Sequence, residues 1–172
     1  MRFLLIGLFS FLVAGCWTGL NLYSASDART AIPPGVYKAL PPGERPQVFR
    51  VSILPNGLTK LEGSDTEIYG FVPLDAHRGT FVAWMQIQSD PAIPSGEDDP
   101  NQAYGLLVRQ PHGNFLVYAP GCKDEEAEVA RTSGAKIQNS ECHFPTRTSL
   151  EKALLLLRRR PGSALKLVRI RS

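Results

Sequence analysis

The feature that most constrains the fold is a succession of short segments in which apolar and polar residues alternate. Phe49, Val51 and Ile53 alternate with Arg50 and Ser52, which is the period of two expected of a strand with one buried face. Similar segments follow as far as residue 118, separated by turn sequences such as "PNG" at 55–57 and "HRG" at 77–79. Short strands at this spacing predict an antiparallel meander or a small curved barrel of about six to seven strands.

The C-terminal part of the chain has a different pattern. The sequence "KDEEAEVARTSG" (123–134) begins acidic and ends at a glycine, which favours a helix. In "TSLEKALLLLRRR" (148–160), Thr148 and Glu151 have the spacing of a capping box, and "ALKLVRIR" (164–171) predicts a final strand. Segments 104–108 and 115–118 are apolar on both faces. We therefore expect an α+β, mainly β domain whose open sheet face is covered by one or two C-terminal helices.

The N-terminus has the pattern of a secretory signal. Arg2 precedes eleven uncharged residues, Phe3 to Val13, and then the small residues Ala14 and Gly15. The apolar run is short for a membrane span, which needs about 20 residues. The sequence Val13-Ala14-Gly15-Cys16 resembles the lipobox of bacterial lipoproteins. The resemblance implies that Cys16 is acylated and becomes the mature N-terminus; the alternatives are an ordinary cleaved signal and an uncleaved anchor.

These observations divide the chain into a signal peptide at 1–15, a lipidated Cys16 with a tether over 16–34, and one globular domain over 35–172. The tether is predicted because residues 17–34 show no steady period and end in Pro-Pro. Each alternative for the leader puts the domain outside the cytoplasm. In lipoproteins of enteric bacteria an Asp after the lipidated cysteine favours the inner membrane, so Trp17 at that position favours the outer membrane.

Two further cysteines, Cys122 and Cys142, remain after the leader. An even pair in an exported chain is most simply a disulfide, because the bacterial periplasm is oxidising. A metal site would need more ligands at short spacing, and only His143 is near in sequence. We therefore predict a Cys122–Cys142 bridge.

The sequence contains no pattern that indicates catalysis. His77 and His112 fall in predicted turns, and the acids cluster in a loop at 96–102 and at a helix start at 123–128 without the spacing of a calcium site. No nucleophile elbow, phosphate-binding loop or zinc-protease motif occurs. We expect no enzyme activity, no catalytic residue, no metal and no cofactor.

The charge is distributed unevenly along the chain. Residues 89–130 contain eight acids and two bases, whereas residues 145–172 contain eight bases and one acid. Arg158, Arg159 and Arg160 follow one another at the end of the predicted second helix, so they cannot all pair with one acidic surface. We predict that at least one of them contacts an external anion, either lipid headgroups or an envelope protein, and not nucleic acid. The alternative is that this basic end is solvated or opposes the chain's own acidic segment.

The sequence therefore predicts a lipid-anchored periplasmic protein of the cell envelope with a binding or structural role. Two alternatives stay open: a hydrolase of envelope polymers, and a lipocalin-like carrier of a lipid or small ligand. An apolar cavity would favour the carrier, and a cleft that brings His143 to acidic residues would favour the hydrolase.

Overall fold

The structure, a computed structural model, describes residues 17–74, 77–87, 101–158 and 164–170. Its strands are β1 (Trp17–Gly19), β2 (Gly35–Leu40), β3 (Gln47–Ile53), β4 (Thr59–Glu62), β5 (Thr66–Pro73), β6 (Thr80–Gln86), β7 (Gln102–Arg109), β8 (Phe115–Tyr118), β9 (Lys136–Gln138), β10 (Glu141–Phe144) and β11 (Leu165–Arg169). Its two α-helices are α1 (Asp124–Thr132) and α2 (Arg147–Arg158).

Eight of these strands form a closed antiparallel barrel. The order around the barrel is β2, β3, β4, β5, β6, β7, β8 and β11, and β11 pairs again with β2. The predicted mainly β fold is confirmed, and its barrel alternative is the one observed. The count of six to seven strands is corrected to eight, because β2 has apolar residues on both faces and shows little alternation.

The barrel interior is an apolar core built from the inward residues of every barrel strand. Tyr37 lies near Phe49 and Phe115, with ring centroids 6.0 and 6.3 Å apart respectively. Ala31 and Ile32, each 1% exposed, join this core from the segment before β2. Burial of such side chains stabilises a fold by about 1.5–3 kcal/mol each, so the interior accounts for much of the barrel's stability.

A second apolar core lies on the outside of the barrel wall. Tyr104, Leu106 and Val108 of β7 point outward and pack with the buried residues of both helices. The prediction that 104–108 would be covered on both faces is confirmed, although the helices cover the outside of a closed barrel and not an open sheet face. At Gly70 of β5, an added Cβ would lie 2.1 Å from the Trp84 indole. The indole of Trp84 therefore packs directly on the β5 backbone.

The helices begin and end where local chemistry favours it. Three acids occupy the first turn of α1, where they face the positive end of the helix dipole. Gly134, with φ +101°, ends the turn that follows α1, since a residue with a side chain is strained there. Helix α2 begins one residue earlier than predicted, and its N-terminus is capped by Thr146, whose Oγ1 accepts a hydrogen bond from the Ser149 backbone N–H at 3.2 Å.

Residues 17–34 do not form the predicted tether, because they are folded into the domain. Strand β1 lies between β7 and β10, antiparallel to the first and parallel to the second. Trp17 is 0% exposed, Tyr23 2% and Ile32 1%. These residues show no period along the sequence because they contact different neighbours: Trp17 and Tyr23 the outer core, and Ile32 the barrel interior. The domain therefore includes residues 17–34.

Candidate functional site

The predicted lipidation site, Cys16, lies outside the described residues, but the residue that follows it is well defined by its contacts. The Trp17 indole N–H donates to the carbonyl of Gly121 at 2.8 Å, and the indole lies 4.8 Å from the Phe144 ring between centroids. Residue 16 is joined by one peptide bond to Trp17, whose side chain is buried, so a group attached to residue 16 would be held next to the domain.

Cys122 and Cys142 form the predicted disulfide, with their Cα atoms 5.5 Å apart. Cys122 precedes α1, and Cys142 lies in β10 opposite Trp17 of β1. Both cysteines are buried in the outer core. The bridge ties the start of α1 to β10, which pairs with β1 and β9.

The three histidines lie in different parts of the fold. His143 Nδ1 lies 2.9 Å from the Thr18 hydroxyl, and its Nε2 lies 3.6 Å from a carboxylate oxygen of Glu141. His112 is exposed in a turn with φ 63°, and His77 lies in the β5–β6 connection. Within the described part of the chain, no group of three or more His, Cys, Asp or Glu side chains is arranged to hold a metal ion.

The two acidic clusters have different outcomes. Most of the 96–102 cluster lies outside the described residues. In the 123–128 cluster, Glu126 Oε2 accepts a hydrogen bond from the backbone N–H of Gly121 at 2.7 Å. Burial raises the pKa of Glu126, although the bond from Gly121 opposes that shift. This carboxylate thus holds the loop before α1, as expected of an acid at a helix start.

Arg158, the first of the three arginines predicted to contact an anion, is the last residue of α2 and is exposed. Arg159 and Arg160 lie outside the described residues. Within the described ranges, Arg158 forms no ion pair. The prediction of an external anion at this helix end stays a prediction.

A buried polar network that the sequence did not reveal holds the N-terminal segment on the barrel. The side chain of Gln102, 0% exposed, donates to the carbonyl of Tyr23 at 2.7 Å and accepts from its N–H at 3.2 Å. The Tyr104 hydroxyl lies 2.9 Å from Gln102 Oε1 and 2.8 Å from the Leu20 carbonyl oxygen, and its one proton is shared between these two acceptors. Burial raises the pKa of Tyr104, so the hydroxyl stays a donor throughout the physiological range.

A second polar cluster fixes the same segment to the start of α2. Arg147 binds the Asp27 carboxylate through both terminal nitrogens, at 2.8 and 3.2 Å, and lies 4.7 Å from the Tyr23 ring centroid. Hydrogen bonds from the Ser24 backbone N–H and then from Arg147 lower the pKa of Asp27. The Tyr23 hydroxyl donates to Glu151 at 2.9 Å. Glu151, predicted as a capping residue, therefore serves a tertiary contact.

The concave spaces in the described part differ greatly in size. The cavity in the barrel interior measures about 10 Å³ and is lined only by apolar and aromatic side chains, which is the lower limit for one water molecule. An open groove of about 370 Å³ runs along the exposed side of α2, lined by His77, Thr148, Glu151, Lys152, Leu155 and Leu156. The groove contains one histidine and one carboxylate, and that carboxylate already accepts the Tyr23 hydroxyl.

Among the described residues, no helix has the length and hydropathy needed to cross a membrane. Comparisons with protein-family models, with curated protein sequences and with solved structures gave no match for this chain.

Proposed function

We propose that this chain is an exported lipoprotein that acts by binding at the surface of the membrane carrying its anchor. In this proposal the signal at 1–15 is removed, Cys16 is acylated, and the domain that includes residues 17–34 lies on the periplasmic side. The observation that carries the proposal is the Cys122–Cys142 bridge. Such a bridge forms and persists in an oxidising compartment, which agrees with the leader and with the lipobox resemblance.

The packing of the barrel favours binding at the outer surface over binding inside. Small-molecule pockets measure about 300–1,000 Å³, whereas the interior cavity measures about 10 Å³. A lipocalin-like carrier would need an interior cavity tens of times larger than the one observed. The hydrolase alternative is not favoured by the groove on α2, because Glu151, the one carboxylate among the described residues that line it, is held by Tyr23.

The absence of a tether gives the proposal a definite geometry. Since Trp17 is buried and paired within the sheet, an acylated Cys16 would hold the domain directly against the bilayer. The outer membrane remains our preferred location because Trp17, and not Asp, follows the cysteine. Arg158, Arg159 and Arg160 are proposed as contacts for an anion at this surface, or for an acidic envelope protein.

The test of the anchor is the substitution Cys16→Ser in the full-length chain. We expect wild type to incorporate a labelled fatty acid, to start at Cys16 by mass spectrometry and to fractionate with membranes. The Cys16→Ser chain should keep its leader and take up no label. A Ser10→Ala change within the apolar run serves as the matched control and should behave as wild type.

A different outcome would contradict the proposal. If Cys16→Ser is processed and found in the membrane fraction as wild type is, with fatty-acid label in neither chain, then the chain is not a lipoprotein. Free thiols at Cys122 and Cys142 in wild-type protein isolated from cells, measured after denaturation without reductant, would contradict the exported location.

A further inference from the structure

The outward surface of β2, β3 and β11 has an unusual composition for a barrel wall. Inward residues of these strands, such as Tyr37, Phe49 and Leu167, are buried in the barrel interior, so their neighbours in sequence point outward. Solvent-facing positions of antiparallel sheets are typically polar, but here aliphatic side chains alternate with cations. We call the following six outward residues the basic wall: Lys38, Val48, Arg50, Lys166, Val168 and Ile170.

Strand register makes the basic wall continuous. Lys38 pairs with Val168 on one side and with Val48 on the other. The backbone N–H of Ile170 donates to Val36 at 2.9 Å, and Val36 pairs in turn with Arg50. Val48 is 56% exposed and Ile170 41%. Aliphatic side chains therefore lie between cations across three adjacent strands.

The basic wall is positive without internal compensation. The outward positions of β2, β3 and β11 include three cations and no acid. The nearest acid in register is Glu62 of β4, opposite Arg50, and its carboxylate lies 2.7 Å from the Lys60 ammonium. A surface of exposed cations and aliphatic side chains complements anionic headgroups above an apolar layer.

Trp17, the first described residue, lies two strands from β11, the nearest strand of the basic wall. The edge of β7 that faces away from β6 pairs with two strands in succession. Its pairing with β8 ends at Leu106, which lies opposite Tyr118, and its pairing with β1 begins at Ala103, which lies opposite Thr18. Chain entry at Trp17 therefore falls beside the end of β8, and β8 is the neighbour of β11. Two strand spacings correspond to roughly 10 Å. Lys166 is also four residues further along the strand direction than Trp17, so a lipid on residue 16 would lie on the order of 20 Å from this cation of the basic wall.

We infer that the basic wall is a docking surface for the anionic headgroups of the bilayer. The inference rests on the proposed lipid anchor for the orientation of the domain, whereas the contribution of the wall to binding anionic lipid is measured without the anchor. In this orientation Lys38, Arg50 and Lys166 contact headgroup phosphates, and Val48 and Ile170 enter the region between headgroups. Helices α1 and α2 cover a different part of the barrel, on β6 and β7.

The test uses the mature chain, residues 16–172, with Cys16→Ala and exported behind an ordinary cleavable signal. The described residues of both cores and the disulfide all lie between Trp17 and Ile170, so this chain lacks only the lipid. Binding is measured by co-sedimentation with vesicles of phosphatidylcholine, with and without phosphatidylglycerol, at low salt and at about 0.15 M salt, where the Debye length is about 8 Å.

The decisive comparison is between two triple variants that remove the same charge. In the wall variant Lys38, Arg50 and Lys166 become Gln; in the control, the exposed Lys123, Lys136 and Lys152 on the helical side become Gln. Each cation near an anionic surface is expected to contribute about fivefold, so the wall variant should bind about 100-fold more weakly to phosphatidylglycerol vesicles. The control should lose less than about fivefold, and both variants should keep the wild-type melting temperature.

Three results would overturn the inference. The first is no binding to phosphatidylglycerol vesicles at low salt. The second is an equal loss in both variants, since that indicates attraction by net charge alone. The third is binding to soluble polyglutamate in place of vesicles, since the wall would then serve an acidic protein. None of these results tests the acylation of Cys16, which the Cys16→Ser labelling experiment measures separately.

Discussion

The bridge between Cys122 and Cys142 allows a quantitative prediction for the unlipidated mature chain. The two cysteines are 20 residues apart. On the chain-entropy model, closing a loop of this length removes unfolded-state entropy equivalent to about 3 kcal/mol at 25 °C. For a chain of this size, each 1 kcal/mol corresponds to about 2–4 °C in melting temperature. Reduction should therefore lower the melting temperature by about 6–12 °C.

The structure also says what should survive reduction. The barrel closes through β11 and β2 without either cysteine, and about 3 kcal/mol is only part of the 5–15 kcal/mol typical of a domain. The reduced protein should thus stay folded at room temperature. The loss should appear first around β10 and the start of α1, because the bridge joins those two segments.

The assay is thermal unfolding by circular dichroism, with and without reductant, for wild type and for a Cys122→Ala/Cys142→Ala double variant. The double variant controls for effects of the reductant and should not respond to it. Amide hydrogen exchange then locates the loss of protection. If wild type and the double variant respond to reductant equally, or if protection is lost uniformly over the barrel strands, the reasoning from loop closure is refuted.

Three further predictions concern other parts of the chain. Gly70→Ala should lower the free energy of unfolding by about 1–3 kcal/mol, since the new Cβ would lie 2.1 Å from the Trp84 indole. In a Trp84→Leu background the same substitution should lower the free energy of unfolding by clearly less. If the effects of the two substitutions are additive in the double-mutant cycle, the contact is disproved. Folding lowers the pKa of Asp27, so its stabilisation should be complete above the unfolded pKa of 3.8 and disappear as the pH falls through the folded value. The free energy of unfolding of Asp27→Asn should therefore be below that of wild type at neutral pH and equal to it in acid. A difference in the free energy of unfolding that persists in strong acid would contradict the Arg147 pairing. Changing all three arginines at 158–160 to Gln should weaken vesicle binding at low salt while leaving the melting temperature nearly unchanged, and a variant that unfolds would show that these arginines are structural.

The elements that the sequence predicted well are those in which a single periodicity acts over many residues. The alternation around Phe49 and Val51 correctly indicates which side chains fill the barrel. In α2, Leu150, Ala153, Leu154 and Leu157 recur at helical spacing in the sequence and form the buried face. Each of these patterns reflects one continuous contact surface, so spacing alone reveals it.

The elements that were missed depend on contacts between distant parts of the chain. Strands β1, β9 and β10 have three or four residues each, too few to show a period. Residues 17–34 looked like a tether because Trp17, Tyr23 and Ile32 pack against different partners. The bond from Tyr23 to Glu151 spans 128 residues, and no local signal marks such a pair. The basic wall was missed because its cations and aliphatic residues are brought together by strand register.

The closing pair of the barrel has a consequence for how the protein is made. Strand β11 follows the other seven barrel strands in the chain, and it lies between β8 and β2. Pairs such as Leu167 with Ala39 are 128 residues apart in the chain, and contacts of such separation form slowly. During synthesis, β2 and β8 keep unpaired edges until β11 arrives, and exposed edges favour aggregation. Completion of the barrel therefore depends on the arrival of β11, and deletion of this strand should leave an open sheet that captures other strands.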